Sequence, residues 1–181
     1  MNTATRNLEN DHVHILRLID VMVHITISDN PDIGHIERIV DIIKNFADGL
    51  HHAKEENLFF PFLTERGFSL TQGPVAVMLH EHVQGRNFVK GMAENIAIYR
   101  NGNTSVLSEI YLNMNGYADL LRSHISKENN ILFRMADNVL SESDQQKLLG
   151  RFAEAEKNHF STLNSQQYIS QIQELASFYK I

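Results

Sequence analysis

Residues 36–62 read IERIVDIIKNFADGLHHAKEENLFFPF. Apolar side chains recur there at three- and four-residue steps: Ile36, Val40, Ile43 and Ala47, then Leu58 and Phe62. That is the period of one face of an α-helix. Between Ala47 and Leu58 the same face carries His51 and Glu55. An imidazole and a carboxylate in the middle of an apolar face are costly to bury unless they are paired or bound to something. One stretch thus demands both a long helix and a polar centre inside the fold.

Three further stretches repeat the pattern. Leu8, His12, Ile15, Ile19 and Met22 form one stripe, and Val75, Met78, His82, Gly85, Val89, Met92 and Ile96 a second. The third runs Ile110, Met114, Tyr117, Leu121, His124, Glu128, Ile131 and Met135. The spacing predicts helices over about 5–28, 31–64, 74–100 and 104–139. Asn30-Pro31 opens the second, Pro61 bends its last turns, and Pro74 starts the third after the turn at Gly67 and Thr71-Gln72-Gly73. Asn101-Gly102-Asn103 ends the third helix, and Ser143 with Gln146 resembles a capping box opening a fifth over about 142–178. Short loops between long helices favour antiparallel neighbours. The expected fold class is therefore all-α: an up-down-up-down four-helix bundle with an additional C-terminal helix, forming a single domain over residues 1–181.

Composition narrows the function classes. The chain has 181 residues, enough to bury a real core, and 43% of them are apolar. A formal charge of −6 without any basic run argues against nucleic acid and against an anionic membrane surface. Cysteine is absent, which removes disulfides, thiolate catalysis, iron–sulfur clusters and Cys-type zinc sites. The N-terminal MNTATRNLENDH is polar rather than a signal sequence, and no apolar run approaches the roughly 20 residues of a membrane span. A soluble cytoplasmic protein is the expectation.

Counting places the polar residues at one height. From a turn at residue 30, His12 lies 18 residues before and His51 21 after; from residue 102, His82 lies 20 before and His124 22 after. Around residue 69, Glu55 is 14 before and His82 is 13 after. Such mismatches amount to only about 3–5 Å at a rise of ~1.5 Å per residue. The four histidines, His12, His51, His82 and His124, thus fall in one layer of the bundle, with Glu55 and Glu128 one turn after His51 and His124 on the same stripes. Imidazoles mixed with carboxylates would accept iron, manganese or zinc. If both glutamates bridge, the six side chains give about eight bonds, short of what two six-coordinate ions take, so oxo, hydroxo or water ligands or open positions complete the set. Leu8, Ile15, Leu58, Phe62, Met78, Leu121 and Ile131 are the expected walls, and Gly85 leaves space beside the metals for a diatomic ligand.

These segments carry a family resemblance. Asp11-His12, the run His51-His52-Ala53-Lys54-Glu55-Glu56 with Leu58-Phe59-Phe60-Pro61, Glu81-His82 with Gly85-Arg86, and His124-Ile125-Ser126-Lys127-Glu128 with Ile131-Leu132-Phe133 together resemble the hemerythrin-like, or HHE cation-binding, family. The resemblance covers roughly residues 8–137. It implies a helical bundle holding two non-haem iron ions, with His12, His51, His82 and His124 as terminal ligands and Glu55 and Glu128 bridging. One departure stands out. Oxygen-carrying members place a second histidine one turn from the third-helix ligand, and here Met78 and Arg86 occupy those positions. The missing fifth histidine argues against a reversible oxygen carrier and favours members that look like oxygen, iron or nitric-oxide responders.

Other residues are weighed against this set. His52 and Glu56 repeat the motif rotated by one residue, but the stripe favours His51 and Glu55. Glu81 is either an outer partner of an imidazole or a surface charge. His159 sits at the right height on the fifth helix, where packing outside the core is the expectation rather than ligation. His14, His24, His35 and His80 fall off the stripes or away from the layer, and Tyr117 reads as core. A metal- and dioxygen-binding or -sensing protein is favoured over an enzyme, with an oxidase or peroxidase as the alternative. The Glu-x-x-His spacing of ferritin-type sites occurs only at Glu9/His12 and Glu156/His159, which leaves the central histidines unexplained. A zinc hydrolase would want three ligands, a water and a substrate cleft, and two bridging carboxylates fit that poorly.

Overall fold

A computed structural model describes residues 3–159 and 163–181, and every regular element among them is helical. The helices are α1 (Ala4–Ile25), α2 (residues 33–64), α3 (Gly73–Arg100), α4 (residues 107–139, entered through the 3₁₀ turn Thr104–Val106), α5 (Glu142–Lys157) and α6 (Ser165–Tyr179). None is long and apolar enough to cross a membrane.

The ends of these helices follow from side chains that satisfy the first free amides. Thr3 accepts from the Arg6 amide, and Asp32, not Asn30, accepts from Gly34 and His35. α2 therefore starts two residues later than Asn30-Pro31 suggests. Gly102 turns the chain between α3 and α4 at φ +98, a conformation open to glycine at little cost. The C-terminal expectation needs correcting. Where the sequence suggests one helix over 142–178, the chain forms two, opened by separate capping boxes at Ser141/Asp144 and Asn164/Gln167. A capping box satisfies two amides at once, and the second one restarts the helix.

Cross-helix contacts run antiparallel. Between α1 and α4, Thr5 meets Asp137, His12 meets Asn129, and Asp20 meets Arg122. Between α2 and α3, Glu37 bonds Arg100 and Glu56 bonds both His82 and Arg86. The α3–α4 pair is likewise tied by Glu81 to His124 and Lys127.

Two apolar cores result. The larger joins Ile15 to Ile25, Ile33 to Leu50, Val89 to Ile96 and Ile110 to Ile125, and α6 closes it with Tyr168, Ile172 and Leu175. The smaller gathers Leu8, Phe59, Phe60, Met78, Leu132 and Phe133, and α5 closes it with Leu148 and Phe152. The buried polar layer lies along the helices between them.

α2 and α4 are not regular. Residues Ile43–His52 and Glu55–Phe59 of α2, and Glu128–Leu132 of α4, are π-helical. The Phe60 amide donates to the Glu55 carbonyl and the Phe133 amide to that of Glu128, five residues back in each case. A single proline cannot explain both, because Pro61 follows the first π turn and Arg134 the equivalent point of the second. Each π turn inserts one residue into the register and often marks a functional site. Ile131 and Met135, expected on the inward stripe, are accordingly 53% and 42% exposed, while Leu132, Phe133 and Ala136 are buried in their place.

Candidate metal centre

The six residues singled out in the sequence meet in one place. His12, His51, Glu55 and Glu128 form one group and His52, Glu55, His82 and His124 a second, each with candidate ligand atoms within 4.8 Å of one another. Glu55 is common to both. Its Oε1 lies 3.7 Å from His51 Nε2 and its Oε2 3.5 Å from His82 Nε2, one oxygen toward each group. Glu128 Oε2 is 3.2 Å from His12 Nε2 and 3.3 Å from His124 Nε2, so this carboxylate also spans the two.

His52 joins the layer beside His51, although the stripe alone favours His51. The second histidine of the pair is 4% exposed and its ring stacks on His82 at 3.9 Å. The π-helical run 43–52 explains this: more residues per turn bring consecutive side chains closer in direction, so His51 and His52 both face the layer. The structure thus brings a fifth histidine to the layer, from α2 rather than α3. Glu56, its partner in the rotated motif, points outward instead.

The outer nitrogens settle how the rings are held. His82 Nδ1 donates to Glu56 (2.7 Å), His124 Nδ1 to Glu81 (2.9 Å), His52 Nδ1 to Asp48 (3.2 Å) and His51 Nδ1 to Asp11 (3.3 Å), while His12 Nδ1 faces the Asn129 amide oxygen at 2.7 Å. A carboxylate can only accept, so the proton sits on Nδ1 and the Nε2 lone pair points inward, the arrangement of a metal-binding imidazole. Sequence reasoning left Glu81 open and missed Asp11, Asp48, Glu56 and Asn129. The neighbours Asp11-His12 and Glu81-His82 carried a signal, because each acid serves a histidine on another helix.

Further groups brace those partners. The Lys54 ammonium, buried, donates to Asp11 (2.6 Å), Asn7 (3.1 Å) and Glu156 of α5 (3.0 Å). Arg86 bonds both Asp48 and Glu56, and Lys127 bonds Glu81. Burial opposes ionisation of Asp48, but hydrogen bonds from His52 and Arg86 outweigh it and hold its pKa at about 2. Bonds to His82 and Arg86 likewise outweigh burial at Glu56, and bonds to His124 and Lys127 do so at Glu81.

Inside, the balance is reversed. Burial drives the His51 and His82 imidazoles below their ordinary pKa and His52 down to about 3, so these rings stay neutral. Burial and the adjacent Glu128 raise Glu55 well above a normal carboxylate, whereas His124 and His12 overcome burial and keep Glu128 low. The residues fit a pair of cations on three counts. All four oxygens of Glu55 and Glu128 are buried with no hydrogen-bond partner. His82 and His124 face each other Nε2 to Nε2 at 3.1 Å with both protons held on the far side, so two lone pairs confront one another. His12 and His51 repeat the arrangement at 3.0 Å.

The remaining expectations fall elsewhere. His159 lies outside both groups, in the turn after α5, with its ring close to Gly49. The expected pocket walls do not hold as a set, since Ile131 is exposed. A cavity of about 350 Å³ instead opens beside His52, between α2 and α3, with Gly85 and Tyr117 in its lining.

Comparison with known proteins agrees with this geometry. The family model described as the hemerythrin HHE cation binding domain matches residues 3–136. The chain is 33% identical over 89 residues to the iron-sulfur cluster repair protein YtfE of Dickeya chrysanthemi (strain Ech1591), covering 48% of this chain and 40% of that protein. YtfE proteins of Enterobacter sp. (strain 638) and Escherichia coli O81 (strain ED1a) match over the same length and the same shares, at 33% and 34% identity. The matched region thus spans about two fifths of these relatives. No solved structure matches the chain.

Proposed function

The chain belongs to the hemerythrin HHE cation-binding family, and we propose that it holds two iron ions between its two donor groups and there binds or senses dioxygen or a related small molecule. The observation that carries this reading is the state of Glu55 and Glu128: two carboxylates, 0% exposed, without a hydrogen bond, each reaching toward imidazoles of both groups. Buried carboxyl groups without partners are costly, and a bound cation would compensate them.

In this reading His12 and His51 hold one ion, His52, His82 and His124 the other, and Glu55 and Glu128 bridge. The mixed imidazole and carboxylate set suits iron, with manganese or zinc as less specific occupants. An iron pair would supply open coordination positions and one-electron chemistry to a diatomic ligand. The chain's own part is to keep each Nε2 unprotonated through its Nδ1 partner, to fix ring orientation, and to shield the layer between two apolar cores. The antiparallel contacts fit an up-down-up-down bundle as the scaffold.

A second reading is a response to iron or nitric-oxide stress, and it is favoured by the similarity to proteins named for iron–sulfur cluster repair. An oxidase or peroxidase activity at the same centre is the enzymatic variant.

The test is the iron content and the visible spectrum of the anaerobic ferrous protein, before oxygen, after oxygen and after purging. About two irons per chain with bands that vanish on purging would establish reversible binding. Persistent bands would favour the stress-response or oxidase reading. Iron bound at no more than trace level, with no spectrum, would sink the proposal.

A further inference from the structure

The cavity beside His52 is larger than a diatomic ligand needs. Its volume of about 350 Å³ lies within the ~300–1,000 Å³ of small-molecule sites. Apolar surface from Ile43, Val89, Ala93 and Gly85 makes most of its wall, and His52 closes the inner end. Three cations, Lys44, Arg86 and Lys90, face two carboxylates, Asp48 and Glu94, in a chain whose overall charge is −6. Arg86 is engaged by Asp48 and Glu56, and Lys90 lies 3.7 Å from Glu94. Lys44 has no ion-pair partner among the described residues.

Tyr117 adds a second, independent observation. It is 2% exposed, lines the cavity, and its hydroxyl is buried without a hydrogen-bond partner. Burial raises its pKa far above the ordinary phenol range, so it remains a donor. A buried hydroxyl left without an acceptor is costly, and a ligand oxygen would relieve it. Gly85 also lines the cavity, and a Cβ there would meet the Tyr117 ring at 3.6 Å and Leu120 Cδ2 at 3.9 Å, both ordinary contacts.

We propose that this cavity binds a small organic monocarboxylate, its carboxylate at Lys44, its apolar body against Ile43, Val89 and Ala93, and an acceptor oxygen on Tyr117. The site stands on its own residues and does not depend on which metal, if any, occupies the centre. A ligand seated here would end beside His52.

The test is calorimetric titration of the purified metal-loaded protein with 4-acetylbenzoate, which carries a carboxylate at one end and a carbonyl at the other. Benzoate lacks the carbonyl and 4′-methylacetophenone lacks the charge. The expected result is one saturable site for 4-acetylbenzoate, with each comparison compound weaker by about fivefold to tenfold, the worth of one hydrogen bond or ion contact. Tyr117→Phe should erase the advantage over benzoate, and Lys44→Gln the advantage over the neutral ketone. Gly85→Leu should abolish binding by filling the cavity, and Ala93→Phe at the half-buried mouth does the same job should Gly85→Leu misfold. Absence of saturable binding, equal binding of the three compounds, or binding untouched by both filling variants would overturn the proposal. Metal content is measured in parallel, so loss of the metal reading and loss of this one are separate results.

Discussion

The two donor groups differ in how they are enclosed. His12 and His51 are held by Asn129 and Asp11, and behind Asp11 the buried Lys54 reaches across to Glu156 of α5. The group of His52, His82 and His124 is held by Asp48, Glu56 and Glu81, which are 32%, 24% and 12% exposed and are braced by Arg86 and Lys127 from the surface. The first group has two imidazoles. The second has three and adjoins the 350 Å³ cavity. With two ions bound, the cavity would put ligand exchange on the side of the second group, and the first, with fewer imidazoles, would leave more coordination positions free. The shared glutamates make the halves one unit.

The strongest way to break the comparison is to remove what the halves share. Glu55→Gln should cost the protein both ions, read as iron per chain falling from about two toward zero. An unchanged iron content would remove the bridging role.

Next in size come the two halves separately. His12→Ala should empty the first group and leave at most one ion per chain. His52→Ala removes one of three imidazoles and should weaken the second ion while leaving the first, a difference visible by chelator competition. Equal losses from both variants would mean that the halves are not distinct.

A smaller effect follows from the outer partners. Glu81→Gln and Asp11→Asn each relax one imidazole, and their expected cost is about 10–100-fold in metal affinity. The smallest sharpens the role of α5: Lys54→Met keeps the volume but frees Asp11 and should lower affinity in the first group only. If it weakened the second group equally, the brace would act on the bundle as a whole.

Much of this was legible in the chain. The stripes carried the helices, and counting from the turns put His12, His51, His82 and His124 at one height, with Glu55 and Glu128 one turn after two of them. His52 was not legible, because a 3.6-residue period forces a choice between neighbours and the π run in α2 removes that choice. The same cause misplaced Ile131 and Met135. The triplets Leu58-Phe59-Phe60 and Ile131-Leu132-Phe133 were the available hint, since three adjacent apolar residues tolerate a shift of register. The break between α5 and α6 was missed because Asn164 and Gln167 form a capping box only if the chain has already left the preceding helix.

By itself, then, the sequence determined the helical class, the polar layer and the six residues that meet there, for these follow from periodicity and from the cost of burying charge. The tertiary structure decided that His52 joins them, which acids back the imidazoles, and the cavity. Each depends on contacts between helices, or on one inserted residue in a turn, and spacing along a single chain segment carries no record of either.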